Sequence, residues 1–229
     1  IFEAGISKIG EMRRHLEMLV PTIGLMTNLG GAHDEGFVSR KDKLKEKMLL
    51  FRDSESLIYC KDHTEIDQYV RSEYKEKSVF TRGISKEANL RILDQSIQNS
   101  NRIVTVAYQK QTVDLLIRYE DYASYENALH CVALMIHLGL SLEEISNRLH
   151  RISGLHMRME LTSGLQQSIL VNDAYTADLD SLQVALAFVN QQAGNQKKVA
   201  ILSAFDQSGI AEVDVFEKVV HQLKRFGFE

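Results

Sequence analysis

The sequence has 229 residues, of which 44% are hydrophobic and 25% charged, and its formal net charge is −4. This balance is typical of a folded protein of one or two domains, and it argues against a broad electrostatic surface for nucleic acid or for an anionic membrane. Two cysteines are too few for a disulfide framework and fit a reducing cytoplasm, and no uncharged apolar run reaches the roughly 18–20 residues that span a bilayer.

Apolar runs alternate with helical patterns along the chain, which predicts an α/β fold. The short apolar runs predict strands at residues 22–27, 57–60, 102–107, 112–118, 168–171 and 199–203. Apolar residues spaced three and four apart predict helices at residues 41–51, 124–138, 181–192 and 213–226. A capping-box pattern opens a further helix at Ser141, and we interpret Ile1 and Phe2 as the end of a strand.

A domain boundary is expected where the helix that begins at Ser141 ends, at Ser153-Gly154. This boundary gives a first domain at residues 1–153 and a second at residues 154–229. Because the chain starts at Ile1 rather than at a methionine and stops just after a predicted helix, we interpret it as a piece of a longer protein.

Three polar groups directly follow predicted strands: Glu3, the segment 27–33 with His33, and the segment 172–175 with Asp173. Ligands of α/β sheets bind beyond the carboxyl ends of the strands. A carboxylate and an imidazole on adjacent strand ends could bind a divalent metal, although Mg²⁺ prefers oxygen ligands. A solvated histidine and an aspartate that caps a helix are the simpler interpretations of these residues.

Four lysines lie close together at the start of the predicted helix 41–51, namely Lys41, Lys43, Lys45 and Lys47. This pattern favours a solvated helix face, but the apolar neighbours of Lys47 indicate that its side chain is partly buried. Burial lowers the pKa of a lysine and favours the neutral amine. A neutral amine can take up CO₂ to form a carbamate, which is a carboxylate-like metal ligand.

Histidine and cysteine residues elsewhere carry less information about function. His130, Cys131 and His137 lie in an apolar helical segment and are interpreted as core or packing residues. The spacing of Cys60 and His63 matches no standard zinc pattern. The sequence also contains no G-x-x-x-x-G-K-[ST] phosphate loop.

A set of short motifs, taken in order, resembles the Mur ligase family, whose members are ATP-dependent and add amino acids or peptides to the peptidoglycan precursor. The motifs are Glu3-Ala4-Gly5, Gly10-Glu11-Met12, Pro21-Thr22-Ile23-Gly24, Thr27-Asn28, His33, Gly36-Phe37 and the segment 172–182. The resemblance implies part of a central ATPase domain, with a mixed, mostly parallel sheet and flanking helices and without its phosphate loop. The first half of a Rossmann-like C-terminal domain would follow.

The resemblance also implies roles for individual residues. Glu3 and His33 would be Mg²⁺ ligands, and Lys47 would be a carbamylated lysine that helps to hold a second Mg²⁺, with Lys45 as the alternative in another register. The ATP-contacting residues would be Asn28, Asn127, Arg158, which reaches the phosphates, and Asp173, which lies near the ribose. The implied catalytic set is Lys47, His33 and Arg158.

Within the family, the motifs are most similar to members that join D-alanyl-D-alanine to UDP-N-acetylmuramoyl tripeptide through an acyl phosphate, in the cytoplasm. The amino-acid sequence of residues 58–62 and 157–160 is similar to that of the Bacteroidetes form, in which an alanine racemase is often fused downstream. One departure is Cys60-Lys61-Asp62, where the family has an Asn-x-Asp contact to adenine. The resemblance implies no nucleic-acid or membrane partner.

Two alternatives remain open from the sequence. One is another amide ligase of the superfamily, similar to folylpolyglutamate synthase. The other is a non-catalytic binding or scaffold piece, which the missing phosphate loop supports. For the same reason, we expect the isolated chain to be inactive.

Overall fold

The computed structural model describes residues 1–31, 36–98, 101–119, 121–149, 151–152, 159–175, 177–194, 196–205 and 210–228. His33 and Arg158 lie outside the described residues. The chain divides into two compact units. The first unit contains Ile1–Leu29 and Ser39–Ser153, and the second contains Gly30–Val38 and Gly154–Glu229.

The first unit is built on a six-stranded sheet whose strands follow one another in chain order. They are β1 (Ile23–Met26), β2 (Ser56–Cys60), β3 (Ser78–Gly83), β4 (Leu90–Gln98), β5 (Asn101–Tyr108) and β6 (Gln111–Ile117). Strands β1 to β4 are parallel, and β5 and β6 continue the sheet in antiparallel fashion. The predicted α/β fold with a mixed, mostly parallel sheet is therefore confirmed.

Five helices flank this sheet: α1 (Glu11–Met18), α2 (Arg40–Leu49), α3 (Thr64–Glu73), α4 (Tyr122–His137) and α5 (Leu142–Leu149). Polar caps fix where α2 and α4 begin, since the Ser39 side chain accepts a hydrogen bond from Asp42 N at 3.1 Å and Asp121 accepts one from Ser124 N at 2.7 Å. The predicted capping box at Ser141 is present, because its hydroxyl and the Glu144 carboxylate each accept a backbone N–H of the other residue.

The main core lies between this sheet and α4. Apolar residues of α4 recur with the helical period and are fully buried, as Leu129, Val132 and Ala133 show. They belong to one buried cluster with Ile58 of β2 and Phe80 of β3. This packing places the first turns of α4 beside the carboxyl ends of β2 and β3.

The second unit contains an antiparallel pair, β7 (Glu160–Ser163) and β8 (Ile169–Asn172), and two helices, α6 (Leu179–Ala193) and α7 (Glu212–Arg225). The Asp178 carboxylate caps α6 by accepting from Ser181 N at 2.9 Å. Four buried residues hold α6 and α7 together, namely Leu182, Leu186, Val215 and Val219.

Two predicted strands are wrong. Residues 199–203 have no regular structure, and Ile201 is almost fully exposed. Ile1 and Phe2 are likewise irregular and exposed, so Glu3 does not follow a strand. The physical reason is that a strand needs a neighbour to take its backbone hydrogen bonds, and neither segment pairs with a strand among the described residues.

The sequence patterns do not predict several of the observed helices and strands. Helices α1 and α3 and strands β3, β4 and β7 were not among the predicted elements. Strand β4 is exposed beyond Ile92, so it lacks the continuous apolar run that marks a buried strand. Cys131, interpreted above as a core residue, is exposed because it lies on the outer face of α4.

Among the helices that the structure describes, none is both long enough and apolar enough to cross a bilayer.

Candidate functional site

Buried polar side chains gather at the carboxyl edge of the parallel strands. Met26 pairs with Tyr59, and Cys60 pairs with Arg82, so Thr27, Cys60 and Arg82 lie in neighbouring positions along that edge. Arg82 is only 3% exposed. A guanidinium buried to this extent requires partners, because an unpaired charge is very unfavourable inside a protein.

Glu126 of α4 supplies the counter-charge for Arg82. Its Oε1 atom lies 2.9 Å from Nη2 of Arg82 and 2.8 Å from Nε2 of His63, which precedes α3. Burial alone raises the pKa of the Glu126 carboxyl, but the contacts with His63 and Arg82 outweigh burial and lower the pKa to about 2. Glu126 is therefore a carboxylate at every physiological pH.

His130 extends these contacts toward β1. It lies one helical turn after Glu126 on the same face of α4, and its Nε2 atom is 2.8 Å from Nη2 of Arg82 and 2.9 Å from the carbonyl oxygen of Thr27. Burial, together with the nearby charge of Arg82, lowers the pKa of His130 to about 3. We refer to the buried Arg82, Glu126 and His130, together with the half-buried His63 and the carbonyl of the exposed Thr27, as the buried polar network.

Cys60 lies beside this network. Its Sγ atom, a ring nitrogen of His63 and a carboxylate oxygen of Glu126 all lie within 4.8 Å of one another, which is a spacing from which a metal ion could be held. However, Arg82 already occupies the Glu126 carboxylate, so a divalent cation there would face a buried positive charge. Burial also raises the pKa of the Cys60 thiol, which disfavours the thiolate that binds metals.

Asp62 shapes the loop that follows β3. Its carboxylate accepts hydrogen bonds from the backbone N–H groups of Ile84, at 2.8 Å, and Ser85, at 3.2 Å. Gly83, which directly precedes Ile84, has φ of +151°, and a Cβ atom there would lie 2.5 Å from the Asp62 carboxylate. Asp62 therefore holds the backbone of this loop through two hydrogen bonds, and position 83 requires glycine.

The lysines of α2 differ sharply in their surroundings. Lys41 and Lys45 are exposed, as the solvated-face interpretation predicts, whereas Lys43 is buried to 2% exposure, and for this residue that interpretation is wrong. Helical periodicity places Lys43 on the face that packs inward, beside the buried Leu44.

Lys47 is half-buried, as the sequence predicts. Burial, with a smaller contribution from the charge of Lys43, lowers the pKa of Lys47. Lys45, two residues earlier in the same helix, is exposed. Of these two lysines, Lys47 has the environment that favours a neutral amine.

The remaining predicted site residues are dispersed over several elements. Glu3 is exposed in the irregular segment before α1, Asn28 is exposed just after β1, and Asn127 is exposed in the second turn of α4. In the second unit, Asp173 follows β8 and its Oδ1 atom accepts a hydrogen bond from Met159 N at 3.1 Å.

The buried polar network contains four residues that are not among the sequence-predicted site residues: His63, Arg82, Glu126 and His130. A signal for two of them is visible in the sequence, since Arg82 ends the run Ser78-Val79-Phe80-Thr81 and Glu126 interrupts an apolar helix. Charged residues in otherwise apolar segments are rarely buried without a partner. The sequence does not indicate that these two residues are each other's partner.

Comparisons with known proteins agree with the fold. The family described as the Mur ligase middle domain matches residues 1–135. The UDP-N-acetylmuramoyl-tripeptide–D-alanyl-D-alanine ligase of Treponema pallidum is 25% identical over 221 residues, which cover 96% of this chain and 46% of the relative. The Bacillus subtilis ligase of the same name is 22% identical, over 95% of this chain and 47% of its own length.

Solved structures show the same architecture. The crystal structure of MurF from Acinetobacter baumannii has a TM-score of 0.81 at 18% identity, covering 98% of this chain and 48% of that protein. The structure of MurF ligase from Thermotoga maritima in complex with ADP has a TM-score of 0.75 at 18% identity and covers 95% of this chain and 50% of that one.

The chain thus spans about half the length of the curated relatives that it matches. The match to the middle domain alone extends from residue 1 to residue 135, which is more than half of the 229 residues. On this evidence, the chain belongs to the Mur ligase family.

Proposed function

We propose that this chain is part of an ATP-dependent ligase that joins D-alanyl-D-alanine to UDP-N-acetylmuramoyl tripeptide in the synthesis of the peptidoglycan precursor, in the cytoplasm. The observation that carries the proposal is that three relatives with this printed name each align with 95% or more of the chain. The proposal also includes an alanine racemase fused downstream, which the sequence resemblance suggests.

The reaction we propose has two steps. The terminal carboxylate of the tripeptide attacks the γ-phosphate of ATP, which gives an acyl phosphate and ADP. The amine of D-alanyl-D-alanine then attacks the acyl carbon, and phosphate leaves as the amide forms. Both steps bring anionic groups together, so positive charge near the phosphates lowers the barrier.

The proposed domains follow the boundary that the sequence predicts, with residues 1–153 as the central ATP-binding domain and residues 154–229 as the first half of the C-terminal ligase domain. Asn28 and Asn127 would contact the nucleotide from the first domain. Arg158 would reach the phosphates and Asp173 the ribose from the second.

Glu3, His33 and Lys47 are the proposed Mg²⁺ ligands, and Mg²⁺ when bound would offset the charge of the phosphates. The surroundings of Lys47 suit this role, since its half-buried amine has a lowered pKa. The neutral amine would add to the carbon of CO₂ and lose one proton, leaving a carbamate anion. This change converts a cation into an oxygen ligand of the kind that Mg²⁺ prefers.

The test is phosphate release by the complete gene product that contains these residues, supplied with ATP, Mg²⁺, UDP-N-acetylmuramoyl tripeptide and D-alanyl-D-alanine. We expect phosphate release that depends on the dipeptide. The matched control omits only the dipeptide, and a second control replaces it with L-alanyl-L-alanine. Phosphate release that is equal with and without the dipeptide would contradict the proposal.

Two further arms address the alternatives. A ligase similar to folylpolyglutamate synthase would instead release phosphate with a folate and glutamate as substrates. A non-catalytic piece would release none with either substrate set. The same assay on residues 1–229 alone is expected to show no release.

A further inference from the structure

The buried polar network joins the two elements that carry the proposed nucleotide-binding asparagines. Thr27 directly precedes Asn28, and Glu126 directly precedes Asn127. The loop after β1 and strand β3 are each joined to α4 by short contacts. His130 Nε2 lies 2.9 Å from the Thr27 carbonyl and 2.8 Å from Arg82 Nη2, and Arg82 lies 2.9 Å from Glu126 Oε1. Because a neutral ring nitrogen has one hydrogen-bonding role, His130 ties the loop to α4 as the N–H that donates to the Thr27 carbonyl, and Arg82 holds α4 through Glu126.

These contacts have directions that apolar packing lacks. Arg82 reaches from β3, and it meets Glu126 and His130 on one face of α4. The buried ion pair between Arg82 and Glu126 joins β3 to α4, and it limits how α4 can rotate or slide over the sheet. The His130 contact adds the loop after β1 to the same constraint.

Stability alone does not account for the network. Replacing a buried ion pair with apolar residues of similar volume is often neutral or stabilising, because the pair's attraction has to offset the loss of hydration. The network is also incompletely satisfied, since Arg82 Nε and His130 Nδ1 are buried without a hydrogen-bond partner in the part of the chain that the structure describes. What the charged groups provide beyond apolar packing is a defined orientation.

We propose that Arg82, Glu126 and His130 are positioning residues that hold the loop after β1 and the first turns of α4 in register, so that Asn28 and Asn127 meet the nucleotide together. This inference rests on the proposed function for the identity of the nucleotide. In this proposal, none of the three residues contacts the substrate.

Glu126→Gln in the complete protein is the first variant, since it removes the carboxylate charge at nearly constant size. We expect the dissociation constant for ADP, measured by calorimetry, and the KM for ATP to rise at least about fivefold. The KM for the dipeptide is expected to stay unchanged. The matched control is Glu143→Gln, the same change at an exposed position of α5, which should leave all three values unchanged.

A double variant separates positioning from stability. Arg82→Met combined with Glu126→Leu removes both charges and fills the space with apolar atoms. We expect its melting temperature to equal or exceed that of Glu126→Gln, while its KM for ATP stays raised. Ile145→Val, a small truncation at a fully buried position of α5, is expected to lower the melting temperature without raising the KM for ATP.

Three results would overturn the inference: unchanged ADP binding in Glu126→Gln, recovery of nucleotide affinity in the double variant, or a rise in KM for ATP in Ile145→Val equal to that in Glu126→Gln. If Glu126→Gln does not fold, His130→Leu tests the link to Thr27, with His130→Gln as the conservative variant that should retain affinity. Equal ADP affinity of these two variants would also overturn it.

Failure of the proposed function looks different. A wild-type protein that binds ADP but shows no dipeptide-dependent phosphate release would contradict the ligase proposal, while the ADP affinities of the variants would still decide whether the network positions the nucleotide site. A wild-type protein that binds no ADP would contradict both.

Discussion

Glu126 and His130 lie four residues apart on α4, and their protonation states are fixed around neutral pH by the same neighbour. Arg82 helps to keep Glu126 ionised, with a pKa of about 2, and its charge adds to the burial that keeps His130 neutral, with a pKa of about 3. A single buried guanidinium therefore stabilises a carboxylate and a neutral imidazole on one helix face.

The low pKa of His130 predicts how stability depends on pH. The groups that face it are Arg82, Glu126 and His63. Because the unfolded histidine binds a proton near pH 6.5 and the folded one only near pH 3, the unfolded state holds more protons between these values. The free energy of unfolding should therefore decrease as the pH falls below about 6.5, by on the order of 1.4 kcal/mol for each pH unit.

Urea unfolding of the complete protein between pH 6.5 and pH 5 measures this slope. Glu126 contributes little in that window, since its pKa change lies below 4.5. His130→Gln should show a shallower decrease, because glutamine does not titrate. If the free energy of unfolding depends on pH identically in the wild type and in His130→Gln, folding does not lower the pKa of His130, and this prediction is wrong.

Lys47 carries a prediction about activity. If its amine forms the carbamate that holds Mg²⁺, Lys47→Ala should lower the ligation rate of the complete protein by at least about 100-fold, the effect of losing one electrostatic stabiliser of the reacting phosphates. Small carboxylates such as acetate should restore part of the rate. The measurement is dipeptide-dependent phosphate release at increasing acetate concentration.

Lys45→Ala is the matched control for that experiment, because Lys45 lies on the same helix and is exposed. It should retain nearly the wild-type rate. If the ligation rate falls strongly in Lys45→Ala and only slightly in Lys47→Ala, the carbamate forms on Lys45. If both variants keep the wild-type rate, neither lysine forms a carbamate that the reaction needs.

At the scale of elements, the sequence predicts those whose patterns are local. The apolar spacing of α4 and the capping box of α5 are contained within a few turns of chain, and both are confirmed. The neighbouring residues in the sequence do not indicate that Lys43 is buried, because a lysine-rich stretch by itself favours a solvated face. It follows only from the way α2 packs in the folded unit.

The loop between β3 and β4 yields a prediction of its own. Gly83 has a backbone conformation that favours glycine, and a Cβ there would meet the Asp62 carboxylate at 2.5 Å. We expect Gly83→Ala to destabilise the first unit by about 1–3 kcal/mol, because it strains the backbone and displaces a carboxylate that holds two backbone N–H groups.

Thermal unfolding of the complete protein measures this effect. Gly5→Ala is the control, since a Cβ at Gly5 would have no atom within 4 Å and its backbone is not in the left-handed region. The control should unfold at the wild-type temperature. A melting temperature of Gly83→Ala equal to that of Gly5→Ala would contradict the role assigned to this loop.

At the scale of the whole molecule, what the sequence leaves open depends on residues far apart in the chain. Arg82 and Glu126 are 44 positions apart, and their contact depends on the pairing of Cys60 with Arg82 and on the packing of α4 over β3. Residues 199–203 have the composition of a strand, but whether they form one depends on a neighbouring strand. Ordered motifs identified the family because they do not depend on such pairings.

We propose above that these residues belong to a ligase that adds D-alanyl-D-alanine to UDP-N-acetylmuramoyl tripeptide. Mass spectrometry of the nucleotide-sugar product, after incubation of the complete protein with ATP, Mg²⁺ and both substrates, tests it most directly. We expect a product heavier than the tripeptide substrate by one D-alanyl-D-alanine less one water, formed only when ATP is present. An unchanged tripeptide mass, under conditions in which the protein is folded and binds ADP, would contradict it.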